Sequence, residues 1–268
     1  MKQNPKRKKK LEEENKVQDE MDFTLRFVTY MKLNLDLAGI LYVNAHLQIK
    51  QGQKEFLKLQ KEIEKYKAFY KKRAAKYPIE SEDFITYQLH KLRDIEVFYE
   101  PVVRHFSTAK MLLVCCAETY VNEIAAVTLN GKTLDEFDKL SIIGKWIFIQ
   151  ELTKVKKKLT LDKNPMQGFV ELTKERNKLV HFKGMKKDLQ LLEIPNYLDE
   201  LKLTPKDCLK NVQSITDLIR NFSLQWKGSY GPGWLNFEEE DYRNPCFYLG
   251  NREVASVLYS DRYDKERF

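Results

Sequence analysis

Glycine and proline are scarce in this chain, ten and eight in 268 residues. With so few turn-formers, and with apolar residues recurring at three- and four-residue intervals, the pattern favours helices over sheet. Cysteine is sparser still. Cys115, Cys116, Cys208 and Cys246 show neither zinc-ligand spacing nor a disulfide framework, so a reduced, cytoplasmic setting is the expectation. There is no phosphate-cradling P-loop, no Gly-rich dinucleotide fingerprint and no Gly-x-Ser-x-Gly elbow, and no cofactor or metal is expected. The basic start is followed by LEEENKVQDE in place of the apolar core of a signal peptide. The most hydrophobic early stretch, residues 25–49, is interrupted by Arg26, Lys32, Asn34 and Asp36, which are costly in a bilayer. No membrane association is expected.

Hydrophobic residues make up 43% of the chain, enough for a substantial core. The formal net charge of +8 is unevenly spread. Six Lys or Arg and no acid fall in MKQNPKRKKK, a tail read as flexible over residues 1–16. A second accumulation spans residues 154–187, with eleven Lys or Arg against Asp162, Glu171 and Glu175. Such a surface suits a polyanion, although Lys-rich solvated faces are also common.

Residues 17–100 read as an N-terminal helical region. Gly39 and Gly52 are its possible break points, and Phe56, Leu59, Ile63, Tyr66 and Tyr70 follow the 3,4 spacing of a short coiled-coil seam. Two heptads are too few to stand alone, so this helix needs a partner helix in the same chain or in a second copy. Pro78 closes it and Ser81, with Glu82 and Asp83, caps the next, which carries Ile85, Leu89, Leu92 and Tyr99. Pro101 is read as the boundary with a second helical domain over residues 101–227.

That domain opens with MLLVCCAETYVNEIAAVTLNG, apolar nearly all round except for Glu118 and Asn122 at i and i+4. A carboxylate there needs a cation or a donor, or a route to water. Thr133 to Glu136 has capping-box form, and Ser141 is an alternative helix start. Thr204, Pro205 and Asp207 introduce a last helix with Leu209, Val212, Ile215, Ile219, Phe222 and Trp226 on one side. Residues 228–268 read as an irregular, aromatic-rich arm with a short strand at 254–259.

The stretch FVELTKERNKLVHFKG, residues 169–184, carries the chemistry. Phe169, Leu172, Leu179 and Val180 are its inward positions, Gly184 its expected stop, and Arg176, Asn177 and His181 gather near its end. A permanently charged guanidinium grips phosphate oxygens, an imidazole exchanges protons near neutrality, and an amide four residues before it can orient it. The plainer alternatives are that Arg176 pairs with Glu118 or a neighbouring acid and that His181 only closes the helix. His46, His90 and His105 offer no rival site.

Taken together, AETYVNEI, LSIIGKW, a helix ending RNKLVH and a final amphipathic helix resemble the HEPN superfamily over about residues 102–226. The resemblance implies an all-α, HEPN-like helical bundle that forms a homodimer and cleaves RNA without a metal, in toxin–antitoxin or phage-defence settings. It implies Arg176, His181 and Asn177 as catalytic residues, with Glu118 and Asn122 supporting. Lys156, Lys157, Lys158, Lys178 and Lys183 are expected to bind RNA, and an antitoxin or other protein is a possible partner. Other members bind nucleotide, RNA or a protein partner without cleaving, and that alternative stays open.

Overall fold

A computed structural model describes residues 37–78, 81–181, 197–227 and 231–236. Of these, 83% are helical and none lies in a strand, so the fold is all-α. Helix α1 spans Leu37–Ala74, α2 Glu82–Thr128, α3 Gly131–Asp138, α4 Ile142–Leu152, α5 Met166–Val180, α6 Tyr197–Glu200 and α7 Pro205–Lys227, with a 3-10 turn at Gly233–Asn236. The basic tail, the strand expected at 254–259, Lys183, the stop at Gly184 and Cys246 lie outside the described residues.

The chain divides into two compact units. One comprises Leu41–Cys115 and Leu159–Arg220; the other comprises Cys116–Lys158 with the described parts of Met1–Ile40 and Asn221–Phe268.

In the first unit the seam of α1 finds its partner within the same chain. Reading α1 from Gly52 to Tyr70, its partners in α2 fall from Phe106 to Phe84, the signature of an antiparallel pair. Tyr66 donates its hydroxyl to the Gln88 amide oxygen at 2.6 Å, and His105 Nδ1 meets Gln48 Oε1 at 2.7 Å. Leu59, Tyr66, Phe84, Ile95, Val102 and Phe106 are buried between them. Ser81 caps α2 as expected, its Oγ accepting from the Phe84 N–H at 3.3 Å with Glu82 and Asp83 in the first turn.

Several expected features differ. Gly39 and Gly52 do not break α1, because both serve close approach instead of flexibility: a Cβ on Gly39 would lie 2.7 Å from the Trp234 ring, and one on Gly52 would lie 2.5 Å from that of Phe106. Pro101 sits inside a continuous α2. A proline orphans the carbonyl four residues back, and that residue, Val97, is 70% exposed, so water can satisfy what the helix cannot. Leu89 and Leu209 face solvent, because the inward stripes run through Phe84, Gln88 and Ile95 in α2 and through Cys208, Val212, Ile215, Leu218 and Ile219 in α7.

In the second unit an aromatic cluster forms the core. Tyr120 stacks on Trp146 with centroids 6.2 Å apart and meets the edge of Trp234 at 6.2 Å, while Phe222 lies edge-on to Trp146 at 5.6 Å. Tyr120 Oη and Ser223 Oγ share a hydrogen bond of 2.6 Å. Ser141 caps α4, accepting from the Gly144 N–H at 3.2 Å. The capping box at Thr133 does not form, because α3 begins earlier: Gly131 takes φ +45, a turn open to glycine, and Asn130 stands at the cap. By length and composition α2 could cross a membrane, yet Leu113, Val114, Cys116, Ala117 and Val121 in its apolar part are buried core residues.

Candidate functional site

Helix α5 belongs to the first unit and is held from its buried side. Met166, Phe169 and Leu172 are fully buried, and Gly168 lies so close to Ser214 of α7 that a side chain there would collide with it. Further along α5 the contacts fall earlier in α7 than Ser214, as in an antiparallel pair: Lys210 Nζ reaches Glu171 Oε2 at 3.2 Å, and Asn211 Nδ2 donates to Glu175 Oε2 at 3.3 Å. Lys110, fully buried in α2, donates to the same Glu175 oxygen at 2.7 Å. Around this network sits the buried Cys208 thiol, pushed up to about 12 by burial and the nearby carboxylates, against the opposing pull of Lys110.

At the end of α5 two of the expected residues, Arg176 and Asn177, meet side chain to side chain, and His181 follows at the helix end. Arg176 Nη1 donates to Asn177 Oδ1 at 3.0 Å, and the backbone N–H of His181 donates to the Asn177 carbonyl at 3.0 Å. Asn177 thus holds the guanidinium with its side chain and the histidine backbone with its main chain. His181 is the C-cap, and Asn177, Lys178 and His181 are exposed while Arg176 is half-buried. Val180, read as inward, is 51% exposed. It lies one turn beyond Arg176, on the same stripe, which has already left the core by that point.

Among the described residues of its own unit, no acid pairs with Arg176. Glu118, in the second unit, is approached by Lys145 at 3.4 Å, and the same ammonium donates to Asn122 Oδ1 at 3.0 Å. Lys145 is nearly buried and lies 5.6 Å from the Phe137 ring centroid. Glu118 and Asn122 therefore compensate a buried cation, which is a sufficient physical reason for polar groups in that apolar wall. Glu171 and Glu175 are engaged by Lys210, and by Lys110 with Asn211.

Of the expected RNA-binding lysines, Lys156 and Lys157 are exposed in the second unit, and Lys158 is paired with both oxygens of Glu151 at 2.6 Å. His46 is half-buried against Tyr42, and burial lowers its pKa. Among the described residues no three His, Cys, Asp or Glu side chains gather as a metal site. Sequence reasoning missed Lys110, Glu175 and Asn211. The signal available was one lysine at the start of an apolar run, and its partner lies 65 positions away.

No family model, no curated protein and no solved structure matches this chain.

Proposed function

We propose that the chain is a metal-independent endoribonuclease of the HEPN kind, acting as a dimer through the exposed end of α5. The observation that carries this reading is the charge balance of that end: the two acids of α5 are each met by another cation, whereas Arg176 is bonded to a neutral amide and keeps its charge for a ligand. Just beyond it, the exposed His181 supplies an imidazole, a side chain able to take up or release a proton.

The chemistry uses these groups as follows. A neutral imidazole takes the proton of a ribose 2′-hydroxyl, whose oxygen attacks the adjacent phosphorus. Arg176 stabilises the charge that grows on the non-bridging oxygens. The 5′-oxygen leaves with a proton from a second imidazole, giving a 2′,3′-cyclic phosphate and a 5′-hydroxyl. A single helix holds positions 176 and 181 about 140° apart, so one α5 splays the pair, and two copies packed end to side supply base and acid together. Asn177 holds the Arg176 guanidinium through its side-chain oxygen. A toxin or defence role, restrained by a partner protein, is the cellular setting this activity fits.

The test is cleavage of a structured RNA in EDTA by the wild type and by His181→Ala and Arg176→Ala. The wild type cuts, and each variant loses activity by about 100-fold or more, in the range expected for an acid–base or electrostatic group. Equal cutting by wild type and His181→Ala would remove the catalytic reading. RNA binding by the wild type without any cutting would leave a binding domain in its place.

A further inference from the structure

Helices α5 and α7 carry a feature that the residues at the end of α5 do not explain. Because the two helices run antiparallel, with Gly168 against Ser214 and Glu171 bridged to Lys210 at 3.2 Å, a step toward the C-terminus of α5 is a step toward the N-terminus of α7. From that bridge, Lys174 and Lys178 follow on α5, one and two turns on, and Lys206 follows on α7, one turn back. All four lysines are exposed. The two rows therefore run side by side and in the same direction, toward Asn177 and His181, which share the stripe of Lys174 and Lys178 at helical spacing.

The acids of α5 and of the first turn of α7 each accept a hydrogen bond, two of them from a lysine. Glu175 turns inward to buried Lys110, and the Asp207 carboxylate accepts the Thr204 hydroxyl at 2.6 Å. Glu171 alone among them shares the face, and it is bound to Lys210, whose side chain is 67% exposed. Successive lysines on one row stand about 6 Å apart along the axis. Such a row suits a chain of closely spaced phosphates whose backbone follows the groove.

We infer that Lys174, Lys178, Lys206 and Lys210 form a two-row track that binds the backbone of single-stranded RNA and leads it to His181. This rests on the proposed ribonuclease reading for the site at the end of the track, but not for binding itself. The partner is single-stranded, because the track is a pair of parallel cationic rows on two helices and offers no element shaped to enter a duplex groove. Glu171 is the brake on it, since its ion pair holds one of the four cations.

The experiment measures binding of a fluorescein-labelled oligouridylate to the full chain across a salt series. The triple variant Lys174→Gln/Lys206→Gln/Lys210→Gln is expected to flatten the slope of log K against log salt by about 2, at roughly 0.7 for each phosphate that the protein no longer neutralises. Glu171→Gln, which releases Lys210, is expected to tighten binding by about twofold or more, a gain that misfolding cannot imitate. Unchanged slope in the triple variant, weaker binding in Glu171→Gln, or equal binding of a duplex of the same length or of oligoglutamate would overturn the track. If the track variants behave as expected while His181→Ala still cleaves, the track stands and the catalytic reading falls. If His181→Ala abolishes cleavage while the triple variant binds and cuts as the wild type does, the reverse holds.

Discussion

Glu175 and Arg176 are neighbours in sequence with opposite tasks. Glu175 turns into the first unit to meet Lys110, whose side chain is fully buried, and Arg176 turns out to Asn177. Removing one partner of a buried pair strands the other's charge, which costs more than the pair contributes. Glu175→Ala is therefore expected to lower unfolding free energy by about 3 kcal/mol in urea titration. The double variant Glu175→Leu/Lys110→Met should recover most of it, because no buried charge is then left unpaired. A loss under about 1 kcal/mol for Glu175→Ala would mean that water reaches Lys110 and that the cluster does not fix α5. None of this is legible in the sequence. Spacing within one helix shows which side chains share a stripe, but Lys110 belongs to a different helix, and the sign of its role depends on burial that only the packed structure supplies.

At the scale of elements, the helical starts are legible because caps are local. Ser81, Ser141 and Thr204 each accept from a backbone N–H in the first turn of the helix they precede. The seam at Leu59 and Tyr66 is legible for the same reason, since periodicity needs no knowledge of the partner. Gly52 is not, because its meaning depends on Phe106, far along the chain. In a free helix, Gly52→Ala stabilises by up to about 1 kcal/mol. Here the added methyl meets a fully buried ring, and overpacking of this kind costs about 1–3 kcal/mol. Net destabilisation by Gly52→Ala, read from the urea midpoint with an unchanged slope, is the expected result. A stabilised variant would show that α1 and α2 have room to separate. The apolar stripe of α7 illustrates a smaller shortfall: periodicity points Leu209 inward, and the helix instead turns Cys208 in, a one-residue rotation that hydrophobicity alone does not resolve.

For the molecule as a whole, the all-α class follows from scarce turn residues and long helical periods, whereas the division into units does not. Helices α1, α2 and α7 each contribute residues to both units, so no composition shift marks where one ends. Of the candidate site, what is legible in the sequence is that Arg176, Asn177 and His181 fall at one helix end; the Arg176–Asn177 side-chain bond is not. Glu118 and Asn122, expected to support the site, both face Lys145, a contact that their spacing alone does not reveal. At this scale the proposal is that two helix ends pool into one cleft, and its motive is the wide angle between positions 176 and 181 on a single helix. The most direct measurement is the chemistry of the cut ends, made in EDTA on an RNA and on its all-2′-fluoro counterpart. The account predicts a 2′,3′-cyclic phosphate and a 5′-hydroxyl from the RNA and no cutting of the fluorinated strand. Products with 5′-phosphates, or cutting that survives loss of the 2′-hydroxyl, would contradict it.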